Sequence, residues 1–163
     1  MIDFDKLVGL IFNEMKPKLE NHLGLTVFAK ERSKFEGWLK VELCDSLLKY
    51  FKDVVPEKNR VDISFAEWGI ELKTINTNIR FKGVENKARP ITKNVQGVID
   101  DIEKLKNLDF GKKGVLFVVF PFVEDNERWQ VQLQKIKKKL TEIKSCSFKF
   151  KENTPGAIYF GLI

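Results

Sequence analysis

Alternating apolar and polar residues between positions 61 and 73 predict a β-hairpin with one apolar face. The residues that share this face are Val61, Ile63, Phe65, Ile70 and Leu72. Because successive residues of a strand point to opposite faces, Asp62, Glu71 and Lys73 would lie together on the other side. The hairpin would therefore hold two carboxylates and an ammonium group close together on rigid strands.

The turn of this hairpin must be tight, since only eight residues separate Asp62 from Glu71. We expect Glu67, Trp68 and Gly69 at or near the turn. Gly69 would make such a turn feasible, because glycine adopts a positive φ without a steric penalty.

Apolar residues at helical spacing predict four helices, over residues 3–23, 34–52, 92–107 and 127–143. Pro17 is expected to break or restart the first helix, because proline lacks the N–H group that a helix interior needs. The second helix leads through a loop into the hairpin, and we expect it to pack on the sheet.

The continuous apolar run at 115–120 predicts a strand that is buried on both faces. A strand, a helix and a second strand in succession favour a parallel placement of this strand beside the hairpin. Two further strands are predicted at 147–150 and 157–162. The order α, α, β, β, α, β, α, β, β predicts an α/β protein, and a length of 163 residues suits one domain.

The cysteine and histidine content excludes several kinds of catalytic site. Cys44 and Cys146 are too few for a disulfide framework or for a zinc site built on thiolates. His22 is the single histidine, so histidine-pair nucleases and zinc hydrolases with two histidines lack a necessary partner. We interpret His22 as a solvated or capping residue at a polar helix end.

The sequence carries no signal for a membrane or for secretion. No apolar run approaches the ~20 residues that span a bilayer. The first residues contain no basic region followed by an apolar one. We therefore expect a cytoplasmic protein with no membrane segment.

The charge of the chain favours a polyanionic partner. Lys and Arg number 29 against 23 Asp and Glu, which gives a net charge of +6. A basic cluster occupies the long polar loop after the hairpin and the start of the next helix, and its members are Arg80, Lys82, Lys87, Arg89 and Lys93. We expect this cluster to contact nucleic acid, whereas the lysine run at 135–139 is typical of a solvated helix face.

Asp62 and the triplet Glu71-Leu72-Lys73 resemble the signature of the PD-(D/E)XK nuclease superfamily, which includes restriction endonucleases and archaeal Holliday junction resolvases. The resemblance covers about residues 33–120, where a helix precedes the hairpin and a helix and a buried strand follow it. It implies a restriction endonuclease-like fold, an α/β single domain with a mixed central sheet flanked by helices. The N-terminal helical segment 1–32 and the C-terminal helix and strands at 121–163 lie outside this core.

The resemblance also implies a role for each hairpin residue. Asp62 and Glu71 would hold one or two Mg²⁺ ions, for which Mn²⁺ can substitute, and the carbonyl of Leu72 would complete the ligand set. The metal would lower the pKa of a bound water and neutralise charge on the scissile phosphate. Lys73 would position the attacking water or stabilise the developing negative charge. Val61 departs from the superfamily pattern, which has a proline before the aspartate.

The superfamily often adds a glutamate from the preceding helix, and two residues could supply it. Glu36 falls near the helix start, where the resolvases carry theirs, whereas Glu42 lies about 240° further round the helix. We favour Glu36, although Ser33 and Glu36 also have the spacing of a capping box. Gln96 falls where many members have a glutamine near the metal site, and an exposed helix residue would suit this position equally well.

These features predict a metal-dependent DNA endonuclease of the restriction, defence or repair type. One alternative is a catalytically inactive nucleic-acid-binding module on the same fold, and another is an α/β protein-interaction domain. The intact set of Asp62, Glu71 and Lys73 favours the nuclease. The sequence leaves open the choice between DNA and RNA, and its 14 phenylalanines leave enough apolar surface for a homodimer.

Overall fold

A six-stranded mixed β-sheet lies at the centre of the computed structural model, which describes residues 1–87 and 90–163. Its strands are β1 (Val55–Pro56), β2 (Ile63–Phe65), β3 (Trp68–Asn76), β4 (Lys112–Phe120), β5 (Glu142–Lys149) and β6 (Pro155–Leu162). Their order across the sheet is β1-β2-β3-β4-β6-β5. β3 and β4 are parallel, as predicted, and the other neighbouring strands are antiparallel.

In the part of the chain that the structure describes, five α-helices cover the two faces of this sheet. They are α1 (Phe4–Asn21), α2 (Leu23–Lys30), α3 (Glu36–Leu48), α4 (Ile91–Lys106) and α5 (Glu127–Lys137). The first three share one cluster of buried apolar residues with the sheet, and α4 and α5 share another. The predicted α/β class, with a mixed sheet flanked by helices, is therefore confirmed. Among the described residues, no helix has the length and apolar character needed to cross a bilayer.

Side-chain caps fix the starts of α1 and α5. Asp3 Oδ1 accepts a hydrogen bond from the Lys6 N–H at 2.8 Å, and Asn126 Oδ1 accepts one from the Trp129 N–H at 3.0 Å. Each bond satisfies one of the N–H groups that the first turn of a helix leaves without a partner.

α1 continues through Pro17, so the predicted break at this residue is wrong. Pro17 is exposed near the C-terminal end of the helix. It has no N–H to donate to the carbonyl group of Asn13, and water can hydrogen-bond to this carbonyl instead. Met15 and Leu19, on either side of the proline, are fully buried and hold the helix against the sheet.

Several element boundaries also differ from the prediction. α3 covers residues 36–48, which is shorter at both ends than expected. α5 ends at Lys137, six residues before the predicted end at Ile143. Ile143 itself belongs to β5, where it pairs with Gly161 of β6. The sequence pattern did not indicate the helix α2 or the two-residue strand β1.

The predicted hairpin is confirmed, since β2 and β3 are antiparallel and pair Phe65 with Trp68. Its apolar side belongs to the core cluster beneath α1 and α3. The turn itself consists of Ala66 and Glu67, and Ala66 adopts the left-handed φ of +46°. The role expected for Gly69 in the turn is therefore wrong, because Gly69 lies within β3.

Gly69→Ala is predicted to destabilise the protein for a different reason. A Cβ at position 69 would lie 2.6 Å from Cδ2 of the Phe110 ring, so the ring would have to move. We expect a loss of about 1–3 kcal/mol in the free energy of unfolding, measured by urea denaturation. Gly9→Ala is the control, because nothing lies within 4 Å of a Cβ there and alanine favours a helix. Equal stability of the two variants would contradict this packing.

Candidate active site

Asp62 and Glu71 face each other across the hairpin. The antiparallel register pairs Ile63 with Ile70, so the next residues outward, Asp62 and Glu71, are directly opposite and share a face. Their side chains are in hydrogen-bonding contact with each other. Two carboxylates at this separation repel unless a proton or a cation lies between them.

The edge of β3 is open beyond Ile70, because β2 pairs with no later residue of β3. At this edge the Leu72 N–H donates to Asp62 Oδ2 at 2.8 Å, and the Thr74 N–H donates to Glu36 Oε1 at 3.2 Å. The N–H and C=O of one strand residue point to the same side, so the Leu72 carbonyl also faces the open edge. Asp62, the Leu72 carbonyl and Glu36 therefore lie along one short stretch of backbone.

Glu36, rather than Glu42, is the helical glutamate that the structure brings to the hairpin. Glu36 also acts electrostatically on Lys73. The capping box with Ser33 does not form, because α3 begins at Glu36 and its N-cap residue is Phe35. Glu42 instead pairs at 2.7 Å with Lys18 of α1.

Two lysines on the flanking helices pair with the facing carboxylates. Lys40 of α3 lies 2.8 Å from Asp62 Oδ1. Lys104 of α4 lies 2.5 Å from Glu71 Oε1. These ion pairs join the hairpin to the helices that cover it on both sides.

Lys73 is held by a third ion pair, with Asp101 of α4. Its Nζ lies 3.0 Å from Asp101 Oδ2, and Gly97 leaves room for the lysine stem, since a Cβ there would lie 3.7 Å from Lys73 Cε. Burial alone would lower the pKa of Lys73, but the hydrogen bond and the charge of Asp101 raise it. The ammonium group is therefore protonated and oriented at neutral pH.

The facing carboxylates differ in their protonation. The pKa of Glu71 is raised to about 7; burial is the largest cause, the hydrogen bond from Lys104 opposes it, and the contact with Asp62 adds to it. The pKa of Asp62 is lowered, because hydrogen bonds, chiefly from Lys40, outweigh the effect of its burial. At neutral pH Asp62 is thus ionised, and Glu71 still carries a proton in a large fraction of molecules.

The donor atoms at the open edge suit a small divalent cation. Carboxylate and carbonyl oxygens are the ligands that Mg²⁺ prefers, and the ion keeps several of its own waters. Asp62, Glu71 and the Leu72 carbonyl offer this set, and the point where the two carboxyl groups meet is one that a cation would favour. In the described parts of the chain, no group of three or more His, Cys, Asp or Glu side chains is arranged to hold a metal. An ion would therefore depend on the carboxylate pair, the carbonyl and water.

Gln96 is not brought to this site. Its side chain is exposed and donates a hydrogen bond to Asp100 Oδ1 at 2.8 Å. Gly97, the next residue, is the one that faces Lys73. Since each residue turns a helix by about 100°, Gln96 points away from the hairpin.

Four of the basic residues predicted to contact nucleic acid are described by the structure, and they follow the C-terminal end of β3 in the chain. Lys93 lines one cavity, and Arg80 and Lys82 line another. Lys87 is exposed and forms an ion pair at 2.7 Å with a glutamate that follows α2. Arg89 lies outside the described residues.

Lys40, Asp101 and Lys104 belong to the site, although the sequence pattern did not single them out. Their spacing contains a partial signal, because Lys40 follows Glu36 by four residues and Lys104 follows Asp101 by three. Residues at these separations share a helix face. The missing information is which face α3 and α4 turn toward the hairpin.

Compared with known proteins, the chain matches no family model, no curated protein and no solved structure. Its function must therefore be inferred from the geometry and chemistry of its own residues. Strongly shifted pKa values tend to cluster at functional sites, which directs attention to Glu71 and its neighbours.

Glu71→Gln is predicted to stabilise the metal-free protein above neutral pH. The pKa of Glu71 is raised from 4.5 to about 7 in the folded state, so the wild-type protein loses stability as the pH rises through this interval and the buried carboxyl ionises. Glutamine has no proton to lose. In thermal denaturation with EDTA, the variant should gain a few degrees of Tm over wild type at pH 8 and clearly less at pH 5.

Glu103→Gln is a control in which the expected change in Tm at pH 8 has the opposite sign. The pKa of Glu103 is lowered, chiefly by its hydrogen bond with Lys139, so the ionised form stabilises the fold and its loss should reduce Tm slightly at pH 8. If both variants changed Tm equally at both pH values, the environment assigned to Glu71 would be wrong.

Proposed function

We propose that the protein is a metal-dependent DNA endonuclease with a restriction endonuclease-like fold. The observation that carries this proposal is the convergence of Asp62, Glu71, Lys73 and Glu36 at the open edge of β3. Phosphodiester hydrolysis needs oxygen ligands for a cation and a positive group beside the phosphate. The side chains of Asp62 and Lys73 keep 22% and 30% exposure, so a substrate phosphate can reach them.

The carboxylates differ in how ready they are to bind a cation. Asp62 is ionised and fixed by the Leu72 N–H, whereas Glu71 must give up its proton and its contact with Lys104. A bound Mg²⁺ or Mn²⁺ would supply an activated water and offset charge on the scissile phosphate. Raising the pH through about 7 frees Glu71 for this role.

Lys73 is placed to act on the phosphate or on the attacking water. An ammonium group has three N–H donors, and the ion pair with Asp101 engages it on one side. The other donors can bond to a phosphate oxygen as negative charge develops there. Asp101 positions Lys73 and keeps it charged.

The basic surface supports DNA as the substrate. The chain carries a net charge of +6, and Arg80, Lys82 and Lys93 are exposed near the C-terminal end of β3. A duplex presents dense phosphate charge, and lysine and arginine bind it with release of counterions. These contacts position a strand, and they read no base sequence.

A catalytically inactive nucleic-acid-binding module is the second candidate, and the ion pairs of the site favour it. Asp62 already pairs with Lys40, and Glu71 with Lys104, so both carboxylates have cationic partners without a metal. In such a module these ion pairs would be permanent, and the basic surface alone would bind DNA. The two candidates differ in whether a metal ion produces cleavage.

Incubation with supercoiled and branched DNA, with and without Mg²⁺ or Mn²⁺, tests the proposal. The wild-type protein should cleave only with metal, and Asp62→Ala and Lys73→Ala should each slow cleavage by at least about a hundred-fold. Glu36→Gln should also slow it. Glu42→Gln on the same helix is the matched control and should cleave like wild type.

Two results would redirect the interpretation. Cleavage that survives both Asp62→Ala and Lys73→Ala would exclude the proposed site. Retention of DNA without cleavage under either metal would support the inactive module.

Asp101→Asn is predicted to slow cleavage without weakening the metal dependence. Asparagine keeps the shape but removes the charge that orients Lys73, and loss of such a supporting residue typically costs about 10–100-fold in rate. The measurement is the cleavage rate as a function of Mg²⁺ concentration. The half-saturating concentration should stay constant in Asp101→Asn and rise in Glu71→Gln. An equal rise in both would make Asp101 a metal ligand instead of a positioning residue.

A further inference from the structure

Among the residues that the structure describes, the buried cation Arg32 has no acidic partner. The residue is 2% exposed, and its guanidinium donates to three neutral acceptors. These are the carbonyl oxygen of Glu85 (2.6 Å), Oδ1 of Asn76 (2.9 Å) and the carbonyl oxygen of Ile79 (2.5 Å). Burial lowers the pKa of Arg32, and no carboxylate of the described residues acts on it. Arginine nevertheless stays charged in proteins, and a buried charge normally has an opposite charge beside it.

Two adjoining cavities share Arg32 as a wall. The first has a volume of about 510 Å³ and is lined among others by Arg32, Ser33, Lys34, Asn76, Lys93 and Asn94. The second has a volume of about 300 Å³ and is lined by Arg32, Arg80, Phe81, Lys82, Val84 and Asn86. Among the described residues, no aspartate or glutamate lines either cavity. We refer to the two together as the Arg32 cavities.

Few acidic side chains of the described residues neutralise the exposed cations of the Arg32 cavities. Within the described part of the chain, Arg80, Lys82 and Lys93 take part in none of the ion pairs, and Lys34 makes only a long contact of 3.8 Å with Glu36. The amino end of α4, which has no side-chain cap, borders the first cavity and adds positive potential. Like charges gathered in this way repel each other, and an anion would relieve the repulsion.

The open edge of β3 connects the Arg32 cavities with the carboxylate pair. Asp62 bonds to the Leu72 N–H at one end, Arg32 bonds to Asn76 at the other, and Glu36 lies between them. At about 3.3 Å per strand residue, the backbone from Leu72 to Asn76 spans roughly 13 Å. A single polyanionic strand can reach both places.

We propose that the Arg32 cavities bind the phosphodiester backbone of a nucleic-acid strand, a few nucleotides from the phosphate that the hairpin residues would attack. The identity of this ligand rests on the proposed function, whereas the cavities and their charges do not. Lys34 and Lys93 bind one phosphate group of the strand, and Arg80 and Lys82 bind another. Arg32 is the buried cation that both phosphates share.

Arg32 also couples this site to the shape of the loop that follows β3. Its bonds to Ile79 and Glu85 tie the loop between these residues to the side chain of Asn76. The same loop carries Arg80 and Lys82. Phosphate binding would therefore hold the loop in the arrangement that Arg32 already imposes.

The test is fluorescence anisotropy with a short fluorescein-labelled DNA duplex, in EDTA and over a range of NaCl concentrations. EDTA removes metal-dependent cleavage, so binding is measured alone. One double variant, Lys34→Ala with Lys93→Ala, removes two cations of the first cavity. A second, Arg80→Ala with Lys82→Ala, removes two cations of the other.

Each double variant should bind the duplex about ten-fold more weakly than wild type. The magnitude of its slope of log K against log salt should fall by about 1, since one phosphate contact is lost and about one counterion fewer is released. The matched control is Lys135→Ala with Lys138→Ala, which removes the same charge from exposed positions at the end of α5. The control should keep the wild-type slope. Equal losses in all three double variants would overturn the inference, because they would report net charge alone.

Variants of Arg32 test the buried cation itself. Arg32→Lys keeps the charge, whereas Arg32→Gln removes it. Circular dichroism with thermal denaturation shows whether each variant is folded. In folded protein the glutamine variant should bind less tightly than the lysine variant. If neither variant folds, the double variants decide the question, because their substituted side chains are exposed.

Competition with inorganic pyrophosphate distinguishes a nucleic-acid strand from a free phosphate compound. Pyrophosphate should displace the duplex only at concentrations far above those at which the duplex binds. A protein that binds pyrophosphate tightly and the duplex weakly would contradict the assignment to a strand.

The binding test separates failure of this inference from failure of the proposed function. The protein could cut no DNA with any metal while only the cavity variants showed a reduced slope of log K against log salt. This result would support DNA binding at the Arg32 cavities and reject the nuclease. Metal-dependent cleavage by the wild-type protein, with unchanged DNA binding in both cavity variants, would support the nuclease and reject DNA binding at the Arg32 cavities.

Discussion

The late start of β2, at Ile63, is the constraint on which the candidate site depends. Three residues of the segment 57–60 have left-handed φ values and turn the chain, so the strand that pairs with β3 is only three residues long. The following N–H groups of β3 are left without a strand partner, and N–H groups withdrawn from water need an acceptor. The carboxylates of Asp62 and Glu36 supply one each. A backbone requirement of the sheet therefore fixes two acidic side chains at one edge.

This arrangement opposes stability, since Asp62 and Glu71 are like charges at directly opposite positions of a hairpin. The flanking helices offset the repulsion with Lys40 and Lys104, and Glu71 still retains a pKa of about 7. A hairpin that served structure alone would be more stable with one of these carboxylates replaced by a neutral residue. Strain of this kind is typical of functional sites, where activity and stability make conflicting demands.

The hairpin and its three charged residues could be predicted from the sequence, because alternation with a period of two assigns each side chain to a face. The prediction failed where it depended on how elements pack. Gly69 is required by the approach of the Phe110 ring rather than by the turn. Asp101 and Lys104 enter the site only through the rotation of α4 about its axis, which a helical pattern of apolar residues defines too coarsely. The choice between Glu36 and Glu42 depended in the same way on the orientation of α3.

The open edge of β3 also explains why acidic and basic groups are separated along one strand. If β2 began four residues earlier, backbone bonds would satisfy the N–H groups of Leu72 and Thr74, and Asp62 and Glu36 would have no reason to approach them. The same added strand would extend along β3 toward Asn76, where Arg32 now bonds to the asparagine side chain. The short β2 therefore exposes one continuous edge with carboxylates near its start and cations near its end. A phosphodiester strand that met the cations first would be held with a phosphate a few nucleotides further along close to the carboxylates, where Asp62 and Glu71 would hold a divalent cation that offsets its negative charge.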